Sequence, residues 1–339
     1  MAETEDLMKT MSEVMFSKSK KNEFRITERY FSNDETRLSI GIANIHPVAR
    51  DIEANKAKIL RSLEIFKEKG VNWAVFPELC LSGYFWEDEK ECWSYMDQAV
   101  IENHVHWIND TLKPMLDENT RAITLNSIRR GNERKYLNTT HIITAAHDIF
   151  EPELRYDKVF LPQLEQRYTE TGKDDRLVID SAFGRVGFTT CYDICFSQLL
   201  LEYSKIDNVD FIIEIAAWRT MSDRDYPGMN VGTDVYYSRL WDILLPAAAA
   251  LNQVWIIACN AVGRHEITGA RFCGGSGLWA PSGLPLLQAS RINEELLIIH
   301  NIDILGQREA EVDEQDYKLD FNSIYRVLED KRTFTRLDD

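Results

Sequence analysis

No stretch of this chain approaches the ~18 consecutive apolar residues that a bilayer-spanning helix needs, so no membrane segment is expected. Clustered lysine and arginine are scarce as well. The formal charge is −16, whereas a protein that grips a nucleic-acid backbone gathers cations on one face. The reading is a solvated acidic surface without a nucleic-acid partner, with at most mild steering of a cationic substrate. The six cysteines (Cys80, Cys92, Cys191, Cys195, Cys259 and Cys273) make no CxxC pair and no dense pattern. In a long chain this points to reduced thiols and away from a disulfide framework or a zinc site. Seven histidines are scattered, and no metal site is expected from them. Residues 1–24 are charged throughout, with no apolar core ahead of a small-residue cleavage site. No secretory signal is therefore expected, and cytoplasmic residence is.

What the chain does have is the composition of a globular protein, 44% hydrophobic and 28% charged over 339 residues. That length suits one large α/β domain or two ordinary ones. LSIGIANI (38–45) alternates and is rich in β-formers, so it reads as a first strand. Residues 51–69 place Ile52, Ile59, Leu60, Leu63 and Phe66 at helical spacing and stop at Gly70. Val71 to Phe76 then reads as a buried strand. The alternation continues with a helix over about 98–118 and strands at 122–128, 139–144, 184–190, 209–215, 254–259 and 296–302. Helices are expected after 190 and over 240–251. Strands and helices alternating without a linker imply a layered α/β domain. Residues 1–36 are weakly patterned and read as an extension outside the core, partly helical. Residues 305–339 are acidic with aromatic anchors Tyr317, Phe321 and Tyr325, and read as a tail that packs on its own or a neighbouring subunit.

Three residues carry candidate chemistry. GRVGFTTCYDICF (184–196) is a strand that ends at Cys191 just before a helical stretch. A strand-to-helix elbow pushes a side chain out of the sheet and past unpaired helix N–H groups, which favour a thiolate and can bind an oxyanion. Cys191 is a candidate nucleophile on that ground, or else a small buried apolar residue. Glu78 stands where an apolar strand runs into a carboxylate (VNWAVFPELC). An acid facing a cleft can shuttle protons; equally, it can start a helix and be satisfied by backbone N–H groups. Lys158, in LRYDKVFLPQ, by itself reads as a surface lysine.

Taken in order, Glu78 after strand and proline, Lys158 in Tyr-Asp-Lys ahead of Leu161-Pro162, and Cys191 in Cys-Tyr-Asp resemble the Glu-Lys-Cys triad of the nitrilase superfamily, the carbon-nitrogen hydrolases. The EQRYTETG segment (165–172) resembles the one that contributes a second glutamate, here Glu165. Ala216-Ala217-Trp218, Asn260 to Gly263 and Phe272 to Ser276 with Pro281 and Gly283 resemble later landmarks, and the likeness spans roughly 38–304. The resemblance implies a four-layer αββα sandwich over 37–304, a homodimer or larger homo-oligomer, and neither metal nor organic cofactor. It also implies roles. Glu78 would take the thiol proton as Cys191 attacks, and Lys158 with the backbone N–H of Tyr192 would face the oxyanion. Glu165 would position substrate and fix Lys158. Trp218 and Arg219 are candidate substrate contacts, Arg219 as the cation that a substrate carboxylate would need. Two departures stand out: Ser197-Gln198 where many relatives have Pro-Glu, and Leu251-Asn252 where Glu-Asn is common. Tyr192-Asp193 after the cysteine, in place of Trp-Glu, favours a small amide or N-carbamoyl substrate over a nitrile. CYDICF is also similar to a motif of the pantetheinase branch. The excursion over 219–239 is longer than a tight connection needs and is a candidate specificity loop.

Overall fold

The strand-forming runs at 38–45 and 184–190 seed two different sheets. The structure, a computed structural model, describes residues 16–325 apart from 22, 85–88, 133–134, 175, 227 and 230, and apart from the side chains of 89–91 and 324–325. The first sheet has eight strands, in the order β1 (Phe16–Lys21), β2 (Phe24–Tyr30), β18 (Glu295–Ile302), β3 (Leu38–Asn44), β4 (Trp73–Val75), β5 (Ala122–Arg130), β6 (Tyr136–Ile143) and β7 (Arg155–Asp157). The second has six: β17 (Pro285–Gln288), β16 (Gly277–Trp279), β13 (Trp255–Asn260), β10 (Phe211–Ala216), β9 (Gly184–Thr190) and β8 (Val178–Ser181). Two small hairpins, β11 (Arg224–Tyr226) with β12 (Val231–Thr233) and β14 (Val262–Arg264) with β15 (Arg271–Cys273), lie outside these sheets.

Three apolar layers glue the sandwich. Ile40, Ile42 and Val75 of the first sheet pack against Phe188, Ile213 and Ile257 of the second. Outside the first sheet, Ile59, Leu63 and Phe66 of the helix Ile52–Glu68 cover Ala43, Ala74 and Ile298. Outside the second, Trp241, Leu245 and Ala249 of the helix Tyr236–Asn252 cover Ile212, Ile256 and Ala258. Helix, sheet, sheet, helix is the four-layer αββα order that the resemblance implied. Close approach is part of the design: a Cβ on Gly41 would stand 2.6 Å from the Phe66 ring, so the helix sits on β3 only because that residue has none.

The centres of both sheets are parallel: β3, β4 and β5 in one, β9, β10 and β13 in the other. Ligands of α/β sheets gather beyond the carboxyl ends of such strands, and here those ends carry the candidate residues.

Residues 16–30 correct the expectation of an extension outside the core. They form β1 and β2, and β2 pairs in parallel with β18. Charge hid the strand. Phe24 and Ile26 alternate inward, while Glu28 is buried beside Lys69 and His300. The helix expected over 98–118 is also corrected. One helix spans Glu89–Ala99, Val100 is extended (φ −58°, ψ 138°), and short irregular turns follow to Met115, where Pro114 sits in the last of them. In the tail, the helix Ile304–Glu314 docks on its own chain, with the Arg308 guanidinium on Asp210 Oδ1 (2.8 Å) and on the Gln253 carbonyl (3.0 Å). Tyr317 lies beside the Lys205 ammonium; the side chain of Tyr325 is outside the described residues.

Candidate active site

Most of the candidate side chains leave the end of a strand, and Glu165 starts a short turn, Glu165–Arg167. Glu78 follows β4 by three residues, Lys158 follows β7, Cys191 follows β9, and Ala217-Trp218 follow β10. The elbow expected at Cys191 is strained: the residue has φ +55°, in the left-handed region that an L-residue enters at a cost of about 1 kcal/mol or more. A capping box holds it there, in which the Thr190 side chain accepts from the Asp193 N–H and Asp193 Oδ2 accepts from the Thr190 N–H (3.0 Å).

Lys158 is not a surface lysine. Its side chain is wholly buried, and its ammonium donates to Glu78 Oε1 (2.9 Å) and Glu165 Oε1 (2.8 Å). A buried cation between two carboxylates is held by Coulomb attraction that water does not screen. Glu78 is equally enclosed. Asn138 Nδ2 donates to its Oε1 (2.8 Å), the Ala217 N–H donates to its Oε2 (2.8 Å), and the Tyr84 hydroxyl reaches Oε1 at 3.5 Å. Tyr84 also donates to Glu165 Oε1. The helix-start reading of Glu78 fails, because its partners come from other strands. Glu165 Oε2 is buried and, among the described residues, has no hydrogen-bond partner.

The charges set the protonation states. Burial works against the Lys158 ammonium, but Glu165 and Glu78 outweigh it and hold its pKa well above the ordinary lysine value. Burial raises the Glu165 carboxyl, and so does neighbouring Glu78, while Lys158 pulls the other way; the net direction is up. Burial, then the negative charge of Glu78, push the Cys191 thiol well above its usual range against the pull of Lys158. The helix start was expected to favour a thiolate; burial and Glu78 act in the opposite direction and favour the thiol.

Asp193 ties the elbow to the lysine. Its Oδ1 accepts from the Phe160 N–H (2.8 Å) and its Oδ2 from the Tyr156 hydroxyl (2.8 Å), the residues two after and two before Lys158. Burial raises its pKa to about 6, while Lys158 and these donors oppose the rise. Neither Tyr84 nor Asn138 was singled out from the sequence, and Asp193 was noted only in the Tyr192-Asp193 pair, not for this role. Asp193 stands inside the motif quoted for Cys191, Tyr84 lies four residues past the run quoted for Glu78, and Asn138 lies just before the strand expected over 139–144.

A cavity of about 740 Å³ opens over Cys191, with Glu165, Tyr84 and Ala217 also in its wall. Tyr192, Trp218 and Arg219 line it too, so every residue expected at the site either lines the cavity or, like Glu78 and Lys158, lies buried against those that do. Trp218 is fixed by its N–H on Asn260 Oδ1 (2.7 Å) and its indole N–H on the Tyr237 carbonyl (2.8 Å). The Arg219 guanidinium lies over the Tyr237 ring at 5.6 Å. Among the described residues there is no group of three or more His, Cys, Asp or Glu suited to a metal ion, and no helix long and apolar enough to cross a membrane.

Residues 39–309 match the profile of the Carbon-nitrogen hydrolase family. The chain belongs to the carbon-nitrogen hydrolase family. Its relatives include amidases, nitrilases and a glutamine-dependent NAD(+) synthetase. It is 31% identical over 291 residues to the chloroplastic omega-amidase of Arabidopsis thaliana, covering 80% of this chain and 70% of that one. It is 23% identical over 304 residues to a nitrilase of Penicillium rubens, covering 80% and 86%. The fold of this carbon-nitrogen hydrolase is similar to that of Saccharomyces cerevisiae Nit3, a member of branch 10 of the nitrilase superfamily, with a TM-score of 0.67 at 18% identity over 83% of this chain and 94% of that one.

Proposed function

We propose that this carbon-nitrogen hydrolase cleaves a linear amide or N-carbamoyl compound through a thioester on Cys191, releasing ammonia or an amine. One observation carries the reading: a buried Glu78–Lys158–Glu165 charge cluster stands behind Cys191 in the wall of a cavity. A neutral thiol beside a carboxylate suits proton transfer at the moment of attack. Glu78 accepts the thiol proton as the sulfur bonds to the carbonyl carbon, and the carbonyl electron pair moves onto oxygen. Lys158 and the Tyr192 N–H face that oxyanion, an interaction whose removal typically costs about 3 kcal/mol or more. The carbonyl re-forms, the carbon-nitrogen bond breaks, and the nitrogen leaves with the proton held by Glu78. Water then adds to the thioester, giving one proton to Glu78 as base; the acid departs and the proton returns to sulfur.

Glu165 has two parts in this scheme. Its Oε1 holds Lys158, and its unpartnered Oε2 suits an amide N–H of the substrate. Trp218 and Arg219 would border the bound acyl group. Cysteines with no disulfide among them suit a reducing, cytoplasmic compartment, and a homo-oligomer of this chain is part of the same reading.

The test is ammonia release from primary amides, N-carbamoyl amines, N-carbamoyl amino acids and nitriles, with Cys191→Ala as the blank. Release from an amide or carbamoyl class and not from the blank is the expected result. Release from nitriles alone would overturn the substrate assignment, and equal release by the blank would overturn the nucleophile.

A further inference from the structure

The cavity offers several times the room that a two- or three-carbon amide needs, and its volume lies in the range of about 300–1,000 Å³ that encloses much larger ligands. Its polarity is uneven. The reactive end holds Cys191 and Glu165, while Val159, Leu161, Leu164 and Leu240 contribute apolar wall. Phe160 and Phe196, also in the wall, stack face to face with ring centroids 3.5 Å apart and planes 10° from parallel. Tyr192 stands edge-on to Phe196 at 5.2 Å and remains 37% exposed, an unusual amount of aromatic surface to leave wet inside a concavity.

This ring pair is anchored to the reactive groups. The Phe160 N–H donates to Asp193 Oδ1 (2.8 Å) and the Phe196 N–H to the Asp193 carbonyl (3.0 Å), so both rings keep a fixed offset from Lys158 and Cys191. Charge is sparse by comparison. Among the described residues of the wall the charged side chains are Glu165, already engaged by Lys158, and Arg219, turned onto the Tyr237 ring. An acyl arm ending in a carboxylate or an ammonium would lose its hydration against mostly apolar wall.

Resting on the amide-hydrolase reading above, we propose that the acyl group accepted here is uncharged and carries an aryl or branched alkyl arm, seated against the paired rings of Phe160 and Phe196. An apolar arm would cover surface that is otherwise wet, and an aromatic one would add ring contacts to the stack.

The experiment compares kcat/KM for 3-phenylpropanamide, 4-methylpentanamide, propanamide and succinamate, with Cys191→Ala as blank and mass spectrometry of Cys191 for trapped acyl groups. The first two should exceed propanamide by about tenfold or more, with succinamate no better than propanamide. Phe196→Ala should reduce the ratio of 3-phenylpropanamide to propanamide about tenfold. Should that variant fail to fold, competition in the wild type replaces it: 3-phenylpropanol should inhibit more tightly than propanol. Succinamate as the best substrate, or equal rates for propanamide and 3-phenylpropanamide, would overturn this proposal while leaving the hydrolase reading intact. No turnover and no adduct on Cys191 with any member would overturn both.

Discussion

Two fully buried glutamates on neighbouring layers show what burial does and does not confer. Glu78, at the carboxyl end of β4, accepts from Lys158, Asn138 and the Ala217 N–H. Glu214, in the middle of β10, meets the Thr189 hydroxyl at 2.6 Å, and its second oxygen has no partner among the described residues. Burial drives the Glu214 pKa well above the carboxylic range, and the Asp193 and Glu78 charges push it further, against Thr189 and Lys158. Its apolar surroundings favour the uncharged acid. A buried carboxyl thus serves chemistry only where strand ends bring it an ammonium, oriented donors and a cavity. The difference lies in the neighbours that topology supplies.

The comparison breaks most severely at Lys158. Lys158→Met leaves Glu78 and Glu165 facing each other without a cation, so two effects are expected. Turnover should fall by about 10³-fold or more, and stability by roughly 3–5 kcal/mol, because an unpaired buried charge remains. Calorimetry should show the lower Tm while far-UV circular dichroism stays native. A Tm equal to wild type would mean that the cluster bears no buried charge. Glu78→Gln comes next, with turnover about 10²–10⁴-fold lower for loss of the proton acceptor. It carries a sharper signature. Glu78 raises the Cys191 thiol and Lys158 lowers it, so the variant should alkylate with a lower thiol pKa than wild type even as catalysis disappears. An unchanged pKa would separate Glu78 from the sulfur.

Asp193→Asn is the intermediate case. An amide keeps the shape but turns a donor toward one of the Tyr156, Phe160 and Thr190 donors that the carboxylate accepts. Displacing Lys158 relative to Cys191 by a fraction of an ångström should lower kcat by about 10–100-fold with a smaller change in KM. Loss of affinity with kcat intact would assign Asp193 to substrate binding instead.

These residues also mark how far sequence reasoning reaches. The strand ends were legible because apolar runs stop abruptly at Glu78 and Cys191, and the ordered motifs then joined them to Lys158. Lys158 alone read as a surface residue, since Arg155 and Asp157 beside it are polar and the carboxylates that retain it come from 80 residues upstream and 7 downstream. The influences on the Cys191 thiol were legible only in part for a related reason. A helix start favours a thiolate locally, but here the sulfur is buried beside a carboxylate that only the tertiary fold brings near. The edge strands at 16–30 were lost because Arg25, Glu28 and Arg29 disguise a period of two, and the partners of Glu28, Lys69 and His300, are distant in sequence.

Glu214→Gln is the smallest expected perturbation of turnover, and its effect on stability runs opposite to that at Lys158. A carboxyl whose folded pKa is raised above its unfolded value contributes stability that is fully present below the unfolded pKa, near 4.3, and is lost as pH rises through the folded pKa. Between those limits the unfolded chain gives up a proton that the folded one retains, so wild-type stability falls by up to about 1.4 kcal/mol per pH unit from this group. Glutamine keeps an acceptor for Thr189 and removes the titration. The variant should gain on wild type as pH is raised from 5 to 8, measured by urea unfolding at each pH, with turnover close to wild type. A constant difference across that range would mean that Glu214 is charged in the folded protein, and that a carboxylate in this apolar layer is held by something other than the neighbours it lacks.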